Sequence, residues 1–351
     1  MLDYIVVGLG LAGISFCEIL EKKGKSFKVI SDDSQQASLV AGGLYNPVIL
    51  KRFTMAWNAK EQMDLALPFY TSLEQKLHVK LDYTIPVLRR FASIEEQNVW
   101  FEAADRPGLD YFLSTTIIEN ENPSIDAPFG FGEVKHTGRI DTKTLLTSYS
   151  EYLEQQGLLD KESFDFSCLQ TSEGHISYKA TKAKQIIFAC GYGLKNNPFF
   201  NYLPLNGTKG ELLTIKAPEY KEKNVIKSSV FTIPLGDDLY CIGATYKWKD
   251  KTNEPTEDSK NELLEKLKTF LNCDFEIVKH VAGIRPTVVD RRPLVGQHPE
   301  HKSLYVLNGF GSRGVLIAPD VSKQLFNKIE NRIALDPEIN IHRFTKKYYS
   351  N

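Results

Sequence analysis

A glycine run between a strand and a helix constrains this chain more than any other feature. Tyr4, Ile5, Val6 and Val7 form a short apolar strand, and Gly8, Leu9, Gly10, Leu11, Ala12 and Gly13 follow. Ile14, Phe16, Ile19 and Leu20 then recur at helical spacing to about Lys23, and Phe27 to Ser31 reads as a second strand. Gly8 makes the tight turn, Gly10 lets backbone approach a pyrophosphate, and Gly13 lets the helix pack closely on the strand. The free N–H groups of the first helical turn, at Leu11, Ala12 and Gly13, lie at the positive end of the helix dipole, where an anion is favoured. A bare GxGxxG is weak; after a buried-type strand and at the head of a helix it points to a dinucleotide.

The motif also asks for an acidic residue at the end of the second strand to hold ribose hydroxyls. The usual spacing falls on Ser31, with Asp32 and Asp33 just beyond. Asp32 is the candidate, and a turn that ends the strand is the equal alternative.

A chain of 351 residues with a formal net charge of −1 has room for a large core in one or two lobes. It carries no basic footprint for nucleic acid or an anionic membrane surface. No apolar run approaches the ~20 residues of a membrane helix, and a strand this close to the start leaves no room for a signal peptide. A cytoplasmic protein is therefore expected. The five cysteines (Cys17, Cys168, Cys190, Cys241, Cys273) include no CxxC pair, and the seven histidines form no ligand cluster. Neither a disulfide framework nor a metal site is expected. Cys17 and Cys190 read as small core residues, and His298 and His301 as exposed loop residues.

Further along, Gln36 to Phe53 is too apolar for a solvent loop and too glycine-rich for a regular element. Its Ala41, Gly42, Gly43 and Leu44 suit a backbone laid against something flat. A helix is expected from about Met55 to Lys76, with strands near Thr84 to Phe91 and Ser114 to Ile118 and turns through Gly130 to Gly132. Gly138 to Asp141 lead into a helix ending before Gly157, and Lys184 to Cys190 reads as a fully buried strand. Its end at Ala189, Cys190 and Gly191 is what a parallel sheet presents to a ligand. Antiparallel strands follow within Leu203 to Ala217 and Ser228 to Thr245, with a helix near Ser259 to Leu271. Gly283, Ile284, Arg285 and Pro286 come next, then a strand at Leu304 to Leu307, the run Asn308 to Gly314, and a final helix from about Pro319.

The expected class is α/β: a discontinuous Rossmann-like domain (1–50, 138–202 and 281–351) with an inserted, largely antiparallel β substrate domain (51–137 and 203–280). The ligand site should lie at their junction and at strand carboxyl ends.

These pieces in this order, above all Gly283-Ile284-Arg285-Pro286 with Asn308 to Gly314, resemble the D-amino-acid oxidase family of flavoproteins. That family includes glycine and sarcosine oxidases and the flavin domain of the enzyme that matures methylaminomethyl-uridine in tRNA. The resemblance implies non-covalently bound FAD, with its pyrophosphate on the first helix and its ring along Ala41 to Leu44. Gly309, Gly311, Ser312, Arg313, Gly314 and Val315 would offer N–H groups and a helix start to the pyrimidine end. It also implies that Arg285 forks onto a substrate carboxylate, a geometry that suits a guanidinium, with a structural salt bridge as the alternative. Tyr246 and Phe231 fall where relatives place substrate-facing side chains, or else are core aromatics. Tyr45 and Lys51 extend the ring-facing segment, Lys51 as a second contact to an anion.

The implied activity is oxidation of the C–N bond of a small amino or N-alkylamino acid, with no side-chain base required. A flavin enzyme acting on a carboxymethylaminomethyl-type modified tRNA uridine and a non-catalytic flavin-binding protein are the alternatives. Nucleic acid is the less expected partner because the charge is balanced.

Overall fold

Strand β1 (Leu2–Val7) ends in four consecutive buried residues because both of its faces are covered. Tyr4 and Val6 face the helix α1 (Leu11–Lys22) and the long helix Gly314–Glu330; Ile5 and Val7 face a second cluster with Phe188, Leu203 and Val306. The structure is a computed structural model that describes residues 1–349, apart from the side chains at 346 and 348.

Around β1 the sheet is parallel. Strand β2 (Phe27–Ser31) lies on one side and Thr181–Phe188 on the other; Leu159–Lys161 extends the β2 edge, and Leu304–Asn308 pairs with the far end of Thr181–Phe188. An antiparallel strand, Leu294–Gln297, closes that side. Four strand ends, at Val7, Ser31, Phe188 and Asn308, therefore open on one edge of the sheet, where a parallel sheet leaves its crevice.

A second sheet runs in the order Glu276–Arg285, Thr208–Lys216, Leu239–Gly243, Phe231–Gly236, Val225–Lys227, Val87–Arg90, Phe131–Val134, Leu113–Ile118. Every neighbour is antiparallel except Val225–Lys227 on Val87–Arg90. Helix Glu257–Leu267 buries Leu263 and Leu267 against one face. Short strands Leu44–Tyr45, Gly138–Ile140 and Asp82–Thr84 form a separate three-stranded antiparallel sheet. The fold is thus α/β with a discontinuous nucleotide-type sheet and an inserted, largely antiparallel one.

Three elements depart from the sequence expectation. Helix Ile94–Ala104 is new; Ser93 accepts a hydrogen bond from Glu96 N, and the Glu96 carboxylate reaches back to Ala92 N, a capping arrangement legible in Ser93-Ile94-Glu95-Glu96. Phe131–Val134 is a strand, not a turn, and Gly132 serves packing: a Cβ there would lie 2.6 Å from both Phe91 and Trp100. The last long helix begins at Gly314, with Pro319 inside it.

A proline inside a helix cannot donate to the carbonyl four residues back, here that of Val315. Tyr70, fully buried on helix Ala59–Leu77, donates its hydroxyl to Val315 O at 2.8 Å and so satisfies it. Tyr70→Phe should leave that buried carbonyl unpaired and lower stability by about 1–3 kcal/mol, read by chemical denaturation.

Candidate active site

The open edge of the parallel sheet is one end of a cavity of about 960 Å³ that continues to the second sheet. Its floor is the glycine run. A Cβ at Gly8, whose φ is +98°, would lie 2.6 Å from Ala189 O, and one at Gly13 would lie 2.0 Å from Gly8 O. β1, α1 and the strand ending at Phe188 therefore meet backbone to backbone. The first bond of α1 runs from Ile14 N to Gly10 O at 3.0 Å, and no side chain caps the helix. Apart from Leu11 N, which makes a long contact to Ser38 Oγ at 3.5 Å, its leading N–H groups are left for a ligand.

At the β2 end, Asp32 lines the cavity, and its carboxylate accepts hydrogen bonds from Ser34 N, Ser34 Oγ and Ser163 Oγ. Burial alone would raise its pKa; these bonds outweigh burial and hold it below the usual value, so Asp32 is an acceptor at neutral pH.

At the opposite end, Ala41 to Leu44 form one wall. Gly43 has φ +70°, and a Cβ there would lie 1.8 Å from Ile140 O, so only glycine allows this approach. The loop after Asn308 closes the cavity: Gly311 N donates to Pro286 O at 3.1 Å, tying the closing loop to the Gly283–Pro286 motif, and Asn308 Nδ2 donates to Gly191 O at 2.9 Å. Gly283 itself sits where a Cβ would lie 2.7 Å from Val40, which brings the arginine strand down onto the Ala37–Val40 segment.

Arg285 stands at that junction. Its guanidinium lies over Gly210, where a Cβ would come within 1.9 Å of Nη2, and 5.3 Å from the ring of Tyr246; Nη1 donates to Thr245 O at 3.2 Å. Burial lowers its pKa somewhat, but arginine stays charged. Among the described residues no carboxylate forms a salt bridge with it, which sets aside the structural ion pair. The strand behind it is fixed by a buried charge cluster that sequence reading missed. Lys209, with no exposed surface, donates to Asp250 Oδ2 at 2.5 Å and lies 3.5 Å from Glu211 Oε1. Glu211 in turn accepts from Thr256 N and Oγ1. Lys209→Met should leave Glu211 to the Thr256 donors and to His280 Nε2 at 2.9 Å and cost about 1–3 kcal/mol, seen as a lower denaturation midpoint.

Most of the expected site residues line this cavity: Gly8, Gly10, Leu11, Ala12, Asp32, Ala41 to Leu44, Ala189, Cys190, Gly191, Phe231, Arg285, Gly311, Ser312, Gly314 and Val315. Others do not. Gly13 packs on Gly8, and Gly309 faces Val288 and Leu294. Arg313 N donates to Phe310 O, and its half-buried side chain has its pKa pushed down to about 10 by burial and then by Arg292. Tyr246 is 44% exposed and touches the site only through Arg285. Tyr45 is buried with its hydroxyl on Asp82 at 2.8 Å, and Lys51 is exposed away from the cavity, so neither extends the ring-facing wall.

His298 is also a correction. It is buried, accepts from Glu300 N and His301 N at 3.1 Å, and burial pushes its pKa down to about 4. Among the described residues no His, Cys, Asp and Glu cluster could hold a metal, and no helix is long and apolar enough to cross a membrane.

Ser38, Gln35 and the cavity's reach past Asp32 to Glu154 and Phe164 carry no mark in the sequence. Ser38 Oγ lies 3.5 Å from Leu11 N, and Gln35 Oε1 accepts from Gly193 N at 3.1 Å. These residues belong to loops whose partners are remote in sequence, and no local pattern marks them.

A long cavity with helix starts that have no side-chain N-cap at two points, an acceptor at the β2 end and glycine-only walls fits an extended dinucleotide, which makes the chain a dinucleotide-binding protein. Residues 3–326 match the family of FAD-dependent oxidoreductases called DAO, and the chain belongs to that family. It is an FAD-dependent oxidoreductase. The chain is 25% identical over 260 residues to glycine oxidase of Bacillus subtilis, covering 69% of this chain and 68% of that protein. It is 22% identical to the tRNA 5-methylaminomethyl-2-thiouridine biosynthesis bifunctional protein of Marinobacter nauticus, covering 93% of this chain but only 55% of that protein. The crystal structure of glycine oxidase from Geobacillus kaustophilus superposes with a TM-score of 0.79 at 19% identity, covering 98% of this chain and 97% of that one.

Proposed function

We propose that the substrate is a small amino or N-alkylamino acid, held by its carboxylate on Arg285 and oxidised at its C–N bond. The observation that carries this reading is a largely buried guanidinium with no carboxylate partner among the described residues, clamped between Gly210 and Tyr246 at the end of the cavity walled by Ala41 to Leu44. An unpaired buried cation is costly, and a bidentate carboxylate would satisfy it. When bound, FAD supplies the two-electron acceptor for hydride from the substrate's α carbon. Arg285 fixes the substrate's orientation, Phe231 and Leu212 keep water from the reacting end, and the imine product hydrolyses in water. No side chain has to remove a proton if the amine arrives neutral, so positioning carries the catalysis. The uncapped start of the helix Gly314–Glu330 would offer its positive end to negative charge on a bound ring.

The lobes in this reading are 1–50, 138–202 and 281–351 for FAD and 51–137 with 203–280 for substrate, although helix Ala59–Leu77 packs on the FAD side. Five free thiols suit the cytoplasm.

The test is anaerobic bleaching of the purified flavoprotein by a panel of amino acids and N-alkylamino acids. A protein bleached by dithionite but by no member of the panel overturns the reading. Similarity to the tRNA-modifying protein favours a second reading, a modified uridine as substrate. A tRNA mobility shift at low salt would support it, and none at 50 mM salt would remove it.

A further inference from the structure

Two aromatic rings stand in solvent beside the carboxylate clamp. Tyr246 is 44% exposed and Trp248 47%, and their rings meet edge-to-face with centroids 5.4 Å apart. The Arg285 guanidinium lies 5.3 Å from the Tyr246 ring, so by way of Tyr246 the Trp248 ring is at most about 11 Å from it. The chain has three tryptophans, and the other two spend their indole N–H inside the fold: Trp57 donates to Glu338 and Trp100 to Ser114 O. Among the described residues Trp248 has no acceptor for its N–H, and its one ring contact is Tyr246.

The segment that carries the rings is pinned on both sides of Trp248. Lys247 exchanges backbone hydrogen bonds with Lys209, and the buried Lys209 ammonium holds Asp250, Thr252 and the Glu254 carbonyl. Lys251 Nζ donates to Trp248 O and to Gly207 O, and Asn253 Nδ2 donates to Ser34 O. Single exposed aromatics are ordinary, but two held edge-to-face on a fixed segment beside the Arg285 guanidinium form a surface with little left to order when a ligand arrives.

The geometry selects a planar group. A carboxylate forked on Arg285 has its carbon about 4 Å from Cζ, and a ring on a short tether lies about 4–5 Å further on, within stacking distance of Tyr246 or Trp248. A saturated ring of the same bulk gains only buried area there, whereas a flat π-system also gains face and edge contacts with two rings set at 75° to each other. We propose that Trp248, with Tyr246, is a specificity-determining shelf that stacks an aromatic or heteroaromatic ring carried by the substrate whose carboxylate rests on Arg285. This rests on the amino-acid reading above and narrows its substrate class. Two sources supply such a ring, an aromatic amino acid or amine and a pyrimidine base, and the experiment separates them.

The test uses unreactive acids and reads the flavin absorbance of the holoenzyme, so it needs no turnover. β-Phenylpropionate, β-(uracilyl)propionate and β-cyclohexylpropionate share a carboxylate and its tether and differ in the ring. In the natural protein a planar acid should perturb the spectrum at about five- to tenfold lower concentration than the cyclohexyl acid. The phenyl acid leading assigns an aromatic amine, and the uracil acid leading assigns a base. Trp248→Ala and Trp248→Leu should each abolish the preference, and Trp248→Phe should keep it. The exposed, unbonded indole lets both truncations fold, and either one alone decides. Equal binding of the three acids by the natural protein, as when a second copy of the chain covers the rings, overturns the proposal and leaves the Arg285 role standing. A planar preference that survives Trp248→Ala or Trp248→Leu overturns it as well. If no acid perturbs the flavin, the carboxylate reading fails and this proposal with it.

Discussion

Arg285→Ala is expected to lower kcat/KM for carboxylate-bearing amines by about 30- to 4,000-fold while the protein still folds and keeps its flavin. The range corresponds to about 2–5 kcal/mol for removing one partner of a buried, hydrogen-bonded charge pair. The fold should tolerate the change because Arg285 makes no salt bridge among the described residues and one hydrogen bond, to Thr245 O. A neighbour gives a sharper version of the test. Gly210→Ala would put a Cβ within 1.9 Å of Nη2, and a guanidinium at the end of a flexible chain can swing away at small cost in stability. Gly210→Ala should therefore reproduce much of the Arg285→Ala kinetic loss with an unchanged denaturation midpoint. Normal kinetics for Gly210→Ala would mean that the guanidinium does not work from where it lies.

The second large effect is expected at Gly13. A Cβ there would lie 2.0 Å from Gly8 O, and Gly8 is pressed on Ala189, so backbone would have to move. Gly13→Ala should cost about 1–3 kcal/mol as overpacking and, more visibly, yield protein purified with little or no FAD, because α1 can no longer present its first turn at the end of β1. Gly24→Ala is the matched control. Gly24 has φ +61°, unlike Gly13, but nothing lies within 4 Å of its Cβ position, so its cost should be about 1 kcal/mol with full flavin content. Flavin loss in both variants would assign the effect to general destabilisation instead of the cradle.

The parts of this molecule legible in the sequence are those in which neighbours along the chain do the work. Gly8 to Gly13 is one turn between a strand and its own helix, and its register, period and turn all lie within twenty residues. The GxRP segment and the run after Asn308 were legible only through family resemblance. What the pattern hid depends on remote contacts. Gly210 looks like any glycine in a strand until the side chain of Arg285 is placed on it. Gly132 reads as a turn because the aromatic rings that require it, Phe91 and Trp100, belong to other elements.

Pro319 reads as a helix start, since proline favours the first turn. Tyr70, 245 residues from Val315 in sequence, covers the Val315 carbonyl that Pro319 frees, so the helix can start five residues earlier. That shift matters for the site, because it puts the helix start at the closing loop. Likewise His298 reads as a loop histidine, yet its ring is buried and caps two backbone N–H groups.

The central claim is that Arg285 reads a carboxylate on an amine oxidised by the bound flavin. Its most direct test is anaerobic single-turnover reduction of the flavin by N-methylglycine and by N-methylethanolamine, which differ in the carboxylate, in the natural protein and in Arg285→Ala. The natural protein should be bleached faster by N-methylglycine by at least about tenfold, and Arg285→Ala should lose that preference. Equal bleaching of both proteins by N-methylglycine would contradict the account.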